Sequence, residues 1–213
     1  MTERSLTGQP LAMDPAHDLS DSPRLYAVML GGRARGCRIE LHDIAFAVGA
    51  SLEDTHPQLL DQWFGEAQGL HVDAWAVVDQ VEGFRVELRR SPPPDHSGLR
   101  LYFVNIGGYR PGELAEQHGY ALLAANGKAE AKTRARQALL KGLDSVHKDD
   151  LFEIDDLLEL SQAGGWHVHL VPDAAAGAPS ISNGYLPLPR RTIENWLAAG
   201  RGEAAAPRAG GDS

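Results

Sequence analysis

Apolar residues occur in short runs along the middle of the chain, and the runs form two similar series. Residues 24–30 (Arg-Leu-Tyr-Ala-Val-Met-Leu) and 100–106 (Arg-Leu-Tyr-Phe-Val-Asn-Ile) each favour a β-strand and end at Gly-Gly. We therefore predict two strands that lead into tight loops. After each loop, alternate positions share one face over residues 40–48 and 116–124, which predicts a second strand in each series.

A helix is predicted next in each series. Residues 128–141 are rich in Ala, Lys and Arg and stop at Gly142, which stands where a C-cap is expected. The counterpart contains Pro57, which favours a first turn, so we expect that helix to run from about Thr55 to Phe64. Two further strands complete each series, over residues 74–79 and 84–89 in the first and 151–160 and 166–171 in the second.

The two series align at a shift of 76 positions, which brings Gly31 onto Gly107. The same shift matches four polar residues of the first series with identical residues in the second. The matched pairs are Glu40 with Glu116, His42 with His118, His71 with His147, and Asp73 with Asp149. Near the end, residues 83–88 match residues 165–170 only after an insertion of about six residues. The pattern indicates a tandem duplication.

We predict an α+β fold in which two copies of a β-β-α-β-β unit pack as a pseudo-twofold pair. A unit of about 70 residues has little core of its own, so the copies are expected to bury their apolar faces against each other. The predicted organisation is copy 1 over residues 23–90, a Pro-rich linker over 91–98, copy 2 over 99–172 and an extension over 173–200.

The segments outside the copies carry weaker patterns. Residues 190–199 are predicted to form a short helix that docks on the body through Ile193, Trp196 and Leu197. The ends of the chain, residues 1–22 and 201–213, are rich in small and polar residues without periodicity, so we predict that they are disordered.

Composition narrows the class of protein. The 213 residues are 43% apolar, as in globular chains, and the net charge of -9 repels phosphate backbones and anionic lipid surfaces. We therefore predict no nucleic-acid partner and no membrane partner. The sequence shows no signal segment, no long apolar span and a single cysteine, which predicts a cytoplasmic protein.

The motifs of both series resemble a family of bacterial proteins. The first series carries Leu-Tyr-x-Val-x-Leu-Gly-Gly from residue 25, Glu-x-His-Asp-Ile-Ala-Phe-Ala-Val-Gly from residue 40 and Leu-His-Val-Asp-Ala-Trp from residue 70. The second carries Phe-Val-Asn-Ile-Gly-Gly-Tyr-x-Pro-Gly-Glu-Leu-Ala-Glu-x-His from residue 103. Over residues 24–171 the chain resembles proteins with one or two copies of domain of unknown function fifteen forty-three. The resemblance implies no activity, so it supports the duplication and supplies no mechanism.

The matched polar residues are the first candidates for a site, and two interpretations compete. Under the first interpretation, the matched residues form a carboxylate and imidazole site that binds a metal ion or moves protons, because imidazole titrates near neutral pH. Alternatively, they satisfy loose backbone groups beside the Gly-Gly loops. The residues assigned as metal ligands under the first interpretation are His71, Asp73, His147, Asp149, His167 and His169.

His167 and His169 are included because they form His-x-His on the last predicted strand. Two imidazoles about 7 Å apart on one strand face are a start for a zinc or iron site when a carboxylate approaches. Asp149 or Asp155 would supply the carboxylate ligand of such a site. The alternative is an edge strand whose histidines face solvent.

The Gly-Gly loops, residues 31–36 and 107–112, are candidates for an anion pocket. Glycine lets backbone amides converge on an anion, and arginine side chains complete a phosphate or carboxylate site. Ordinary turn chemistry explains the glycines equally simply. The residues assigned to ligand binding are Gly31, Gly32, Arg33, Arg35, Glu40 and His42 in copy 1, and Gly107, Gly108, Arg110, Glu116 and His118 in copy 2.

The leading functional prediction is a binding module that recognises a small anionic ligand or a protein partner through the Gly-Gly loops and the adjoining Glu and His residues. Its first alternative is a metal-dependent, hydrolase-like enzyme with a divalent metal as cofactor. The second alternative is a duplication with a purely structural role. The sequence leaves open whether the chain is an enzyme, and it names no ligand.

Overall fold

A computed structural model describes residues 22–94, 98–108, 112–139 and 152–201, of which residues 139 and 152–155 are described by their backbone alone. The predicted disordered ends, residues 1–22 and 201–213, lie outside the described residues except for residues 22 and 201. The described part confirms a mixed α+β fold built from two copies of one unit. No helix in the described part is long and apolar enough to cross a membrane.

Both copies follow the predicted order of elements, with one additional two-residue strand each. Copy 1 contains β1 (Arg24–Gly32), β2 (Leu41–Gly49), α1 (Leu52–Gln62), β3 (His71–Val77), β4 (Gln80–Val81) and β5 (Phe84–Arg89). Copy 2 contains β6 (Arg100–Gly108), β7 (Gln117–Ala125), α2 (Lys128–Leu139), β8 (Phe152–Glu159), β9 (Gln162–Ala163) and β10 (Trp166–Pro172). An extension adds β11 (Ile181–Pro187) and α3 (Arg190–Ala198).

The first strand of each copy is the central strand of an antiparallel ladder. β1 pairs with β2 on one side and with β3 on the other, and β6 pairs in the same way with β7 and β8. The register shifts at equivalent positions, between Met29 and Leu30 in copy 1 and between Asn105 and Ile106 in copy 2. The shared irregularity supports the duplication more strongly than sequence matches alone, because bulges depend on local backbone geometry.

The two copies meet in a sheet with the strand order β4-β5-β10-β9. β5 and β10 are antiparallel, and Glu87 lies opposite His169. These two residues are equivalent in the alignment of residues 83–88 with 165–170. Arg85 pairs with Val171 and Arg89 pairs with His167, so the pairing is symmetric about the Glu87–His169 pair. An approximate twofold axis therefore passes between β5 and β10, as predicted.

The apolar residues form three clusters that follow this arrangement. One cluster contains residues of copy 1 and the extension only, among them Tyr26, Val28 and Leu60. A second contains residues of copy 2 only, among them Tyr102 and Leu123. The third, which we call the joint core, combines buried residues of both copies. It contains Leu25, Ala27, Phe46, Val48, Val78, Val81, Leu101, Phe103, Ala124, Leu160, Ala163 and Val168. The copies thus share apolar burial, which is the main favourable term in folding.

The predicted start of the first helix is wrong. Helix α1 begins at Leu52 because Ser51 and Asp54 form a capping box, in which the Ser51 hydroxyl accepts from the Asp54 amide and the Asp54 carboxylate accepts from the Ser51 amide. This reciprocal cap outweighs Pro57, which lies inside the helix. In copy 2, residues 140–142 at the predicted end of the second helix lie outside the described residues.

The extension was only partly predicted. Strand β11, which no pattern indicated, pairs with the outer edge of β3. Helix α3 is confirmed: Ile193 is buried, and the indole N–H of Trp196 donates to Asp61 at 2.7 Å. Leu197 is exposed, so the prediction that it docks on the body is wrong.

The joint core predicts that both copies unfold together. Leu101, which is 1% exposed, lies in copy 2 but contributes to the joint core. Leu101→Ala is expected to lower the free energy of unfolding by about 2–5 kcal/mol. With Trp166 and Trp196 replaced by Phe in both proteins, the remaining tryptophans, Trp63 and Trp75, lie in copy 1, and the single urea transition that their fluorescence follows should shift. Leu114→Ala, the same change at a fully exposed position, should leave the curve in place. A copy 1 signal unaffected by Leu101→Ala would contradict a shared core.

Candidate functional site

The ladder of copy 1 brings distant residues together at the end of β1. Gly31 pairs with His42 on β2 and with His71 on β3, so a backbone without a side chain lies between two histidines. Glu40 stands just before β2, and Asp73 lies two residues after His71 on β3. Antiparallel pairing therefore gathers four polar side chains at one end of the sheet. We call Glu40, His42, His71 and Asp73 the first-copy cluster.

The imidazoles and carboxylates of the first-copy cluster alternate in space. His71 Nε2 lies 3.3 Å from Glu40 Oε1 and 3.4 Å from Asp73 Oδ1. His42 Nε2 lies 3.2 Å from Asp73 Oδ2 and 3.9 Å from Glu40 Oε2. Each histidine thus faces both carboxylates. The sequence assigned Glu40 and His42 to a ligand pocket and His71 and Asp73 to a metal site, and the structure brings all four into one cluster.

His71 forms the floor of the cluster, and its ring orientation is fixed. Its Nδ1 lies 2.9 Å from the Gly69 carbonyl oxygen, and because a carbonyl only accepts, Nδ1 carries the proton of that hydrogen bond. Nε2 is buried and has no hydrogen-bond partner, although two carboxylate oxygens are near; Asp73 Oδ2 is a second buried atom without one. Buried polar atoms of this kind call for an explanation.

One side of the first-copy cluster is open to solvent. The side chain of His71 is 2% exposed, whereas those of Asp73, Glu40 and His42 are 30%, 45% and 49% exposed. The cluster therefore has a buried floor, formed by His71, and a rim of partly exposed side chains, of which Asp73 keeps its Oδ2 buried.

Gly31 and Gly32 lie in β1, and Gly107 and Gly108 lie in β6, which corrects their predicted place in loops. A Cβ on Gly31 would overlap His71 Nε2 and Asp73 Oδ2, and a Cβ on Gly32 would lie 2.8 Å from the Trp63 ring. Both glycines are thus required by close approach of other side chains. Both glycines take part in ladder pairing, so the strand geometry does not make their amides converge on an anion.

Tyr185 adds an aromatic wall that no sequence pattern predicted. Its ring centroid lies 4.4 Å from that of His71, and its side chain is largely exposed. It belongs to β11, at the irregularity between Asn183 and Leu186. No periodic signal marks this residue, because every residue of β11 is exposed.

The structure corrects two of the proposed equivalences in copy 2. Gly31 pairs with His71 on β3, and Gly107 pairs with Glu153 on β8. The structural counterpart of His71 is therefore Glu153, 82 positions later, and not His147. By the same register Asp73 corresponds to Asp155, and not to Asp149. The insertion lies before β8 and not near the end of the copy; His147 and Asp149 lie outside the described residues.

The other two equivalences hold. Gly107 pairs with His118 as Gly31 pairs with His42. His118 Nε2 lies 4.0 Å from Glu116 Oε2, its Nδ1 lies 3.2 Å from Asn105 Oδ1, and its ring stacks on Tyr120. Burial and the Asp43 carboxylate raise the pKa of Tyr120 above its usual value of 10.0. Asp43 belongs to copy 1, so residues beside the two histidines influence each other across the copies.

His167 and His169 have partners other than a metal ion. His169 is buried, and its Nε2–H donates to the Ser91 carbonyl at 2.8 Å, while His167 contacts the Gln162 amide. Opposite His169, the carboxylate of Glu87 accepts hydrogen bonds from Arg89 and Arg85, which lower its pKa below 4.5. Among the described residues, neither histidine forms an ion pair with a carboxylate.

The predicted arginines are only partly described. Arg33 and Arg35 are exposed on the connection between β1 and β2, and Arg110 lies outside the described residues. Within the described ranges, no group of three or more His, Cys, Asp or Glu side chains is already arranged to hold a metal ion. The side chains of the first-copy cluster contact one another instead.

The close approach at Gly31 generates a prediction. Gly31→Ala should displace His71 or Asp73 and lower the free energy of unfolding by about 1–3 kcal/mol, since extra atoms in a packed site force side chains from their positions. Gly177→Ala is the matched control, because a Cβ there meets nothing within 4 Å, and its effect should stay within about 0.5 kcal/mol. Urea unfolding measures both. Equal effects would show that Gly31 is not constrained by the cluster.

Comparisons with known proteins agree with the internal repeat. The chain is similar to the crystal structure of a protein Il1583 from Idiomarina loihiensis, with a TM-score of 0.62, 32% sequence identity, and coverage of 79% of this chain and 99% of that chain. No curated protein matches the chain. The family model for Domain of Unknown Function (DUF1543) matches residues 37–88 and 113–169, one segment in each copy. The resemblance seen in the sequence is thereby confirmed, and the chain belongs to the DUF1543 family.

Proposed function

We propose that the first-copy cluster binds a divalent metal ion, and that the chain is a metal-dependent binding module. The observation that carries this proposal is the buried Nε2 of His71, which faces two carboxylate oxygens without a hydrogen bond. The proposal retains the predicted binding role. The ligand would contact a cation that the side chains of the first-copy cluster hold, and not the backbone amides of the Gly-Gly segments.

The protonation of His71 explains why a cation is needed. With the proton on Nδ1, a neutral ring directs the Nε2 lone pair towards Glu40 and Asp73, and this contact is repulsive. A positive charge between the three groups removes the repulsion. Either a second proton on the ring or a metal ion supplies it, and a His ligand whose other nitrogen donates to a backbone carbonyl is typical of metal sites.

The contact geometry favours the metal ion over the second proton. Both carboxylate oxygens lie within 3.4 Å of His71 Nε2, yet neither contact has hydrogen-bond geometry. In a tetrahedral site with metal–ligand bonds of 2.0–2.1 Å, two ligand atoms stand roughly 3.3 Å apart, each to the side of the other's metal bond. Three of the four histidine–carboxylate separations in the first-copy cluster, at 3.2–3.4 Å, are close to this spacing, and the fourth, from His42 Nε2 to Glu40 Oε2, is 3.9 Å.

The exposed side chains of the first-copy cluster are the ones that would move towards an ion. His71 is fixed by the Gly69 carbonyl, whereas Glu40 and His42 are about half exposed and can rotate towards a common point. Two imidazoles and two carboxylates suit zinc, manganese, iron or cobalt better than calcium or magnesium, which prefer oxygen ligands alone.

Metal titration tests the proposal directly. Purified chain without an affinity tag is expected to bind cobalt(II), observed by its visible absorption, and zinc should displace it. Asp73→Asn removes one ligand charge while preserving the side-chain shape, so it should weaken cobalt binding by at least about tenfold. His71→Gln should act in the same direction.

His167→Ala is the matched control, because it removes a histidine that contacts Gln162 outside the first-copy cluster. Its cobalt affinity should equal that of the wild type. Absence of cobalt and zinc binding by a folded wild-type chain would overturn the proposal, and would leave the cluster as an ion-pair network with a protonated His71. Cobalt binding that is lost in His167→Ala and kept in Asp73→Asn would place the metal elsewhere.

A further inference from the structure

The connection between β1 and β2, residues 33–40, starts and ends at the first-copy cluster. It leaves the sheet directly after Gly31 and Gly32, and it returns with Glu40. Its start is anchored, since the Arg33 carbonyl accepts from the Glu66 amide at 2.7 Å. Its tip is a turn in which the Cys37 amide donates to the Ala34 carbonyl at 3.1 Å and Gly36 has a φ of 86°. We call residues 33–40 the rim loop.

The rim loop concentrates positive charge in an acidic protein. It carries Arg33, Arg35 and Arg38, all exposed, whereas the whole chain has a net charge of -9. Within the part of the chain that the structure describes, none of the three guanidinium groups forms an ion pair or a side-chain hydrogen bond. By contrast, Arg85 and Arg134 are both paired with carboxylates at 2.8 Å or less. Exposed, unpaired guanidinium groups are suited to bidentate recognition of carboxylate or phosphate.

An aromatic side chain also contacts the first-copy cluster. Tyr185 contacts His71 with its ring and exposes 66% of its surface. Strand β11 supplies this wall to copy 1; the three-stranded ladder β7-β6-β8 has no corresponding strand among the described residues. Copy 1 therefore combines a loop with three exposed arginines, which leaves and rejoins the sheet at the first-copy cluster, with one aromatic ring in contact with His71.

We infer that the first-copy cluster, with its metal ion bound, takes a small molecule bearing an oxyanion, either a carboxylate or a phosphate. This inference rests on the proposed function. The oxyanion coordinates the metal and pairs with arginines of the rim loop, and the body of the molecule packs against Tyr185. Without the metal, Glu40 and Asp73 repel the same oxyanion, so anion binding depends on the metal.

The test uses full-length chain loaded with cobalt(II), and malonate and inorganic phosphate as separate probes. Coordination of either oxyanion should change the visible absorption of bound cobalt in the wild type. Arg33→Ala/Arg35→Ala/Arg38→Ala should keep cobalt binding and weaken oxyanion binding by at least about tenfold, because charge-assisted pairs are lost. A response to malonate alone assigns a carboxylate ligand, and a response to phosphate alone assigns a phosphate ligand.

A charge-matched control separates local recognition from the loss of three positive charges. Arg136→Ala/Arg190→Ala/Arg191→Ala removes exposed arginines on α2 and α3 and should bind both metal and oxyanion as the wild type does. Equal oxyanion affinity in the two triple variants would overturn the inference while leaving metal binding intact. No spectral response of cobalt-loaded wild type to either probe would overturn it as well. Failure to bind cobalt at all would instead overturn the proposed function.

Discussion

The position of Gly31 between His42 and His71 is the constraint on which the candidate site depends. β1 is the central strand of its ladder, so its last residues are flanked by backbone on both sides. At that point the volume beside the strand is filled by the His71 imidazole and the Asp73 carboxylate, and a side chain on β1 would exclude them. The hydrogen bond from His71 to Gly69 then fixes the ring, so that the remaining nitrogen faces the carboxylates.

Duplication supplied this geometry twice, and the copies have since diverged. The β5–β10 pairing relates them by an approximate twofold axis, and the joint core makes them one packed unit. At the position of His71, copy 2 carries Glu153, and the ladder of copy 2 has no strand equivalent to β11 among the described residues. The buried imidazole and the Tyr185 wall therefore distinguish copy 1 from copy 2.

Much of the fold was predictable because both copies carry the same signals. The strands at residues 84–89 and 166–171 and the β-β-α-β-β order follow from apolar runs that occur twice. The start of α1 was missed because Pro57 was given more weight than the Ser51–Asp54 capping box. β11 was missed because a strand with every residue exposed has no alternation of apolar and polar positions.

The candidate site was predictable in its residue types and not in its pairings. A constant shift of 76 positions matches His71 with His147, and only the ladder register reveals that Glu153 occupies the equivalent place. Gly-Gly suggested a turn because turns are the usual reason for glycine, whereas here the reason is close approach of His71 and Trp63. Contact between His71 and Tyr185 depends on an extension outside both copies, for which the repeat gives no information.

Crystals of the full chain grown with zinc, with diffraction data collected on both sides of the zinc absorption edge, would reveal whether a metal ion occupies the first-copy cluster. We predict an anomalous peak about 2.0–2.2 Å from His71 Nε2 and from a carboxylate oxygen of Asp73 or Glu40. A cluster without a peak, in which His71 keeps its contacts with both carboxylates, would show that these side chains form an ion-pair network and not a metal site.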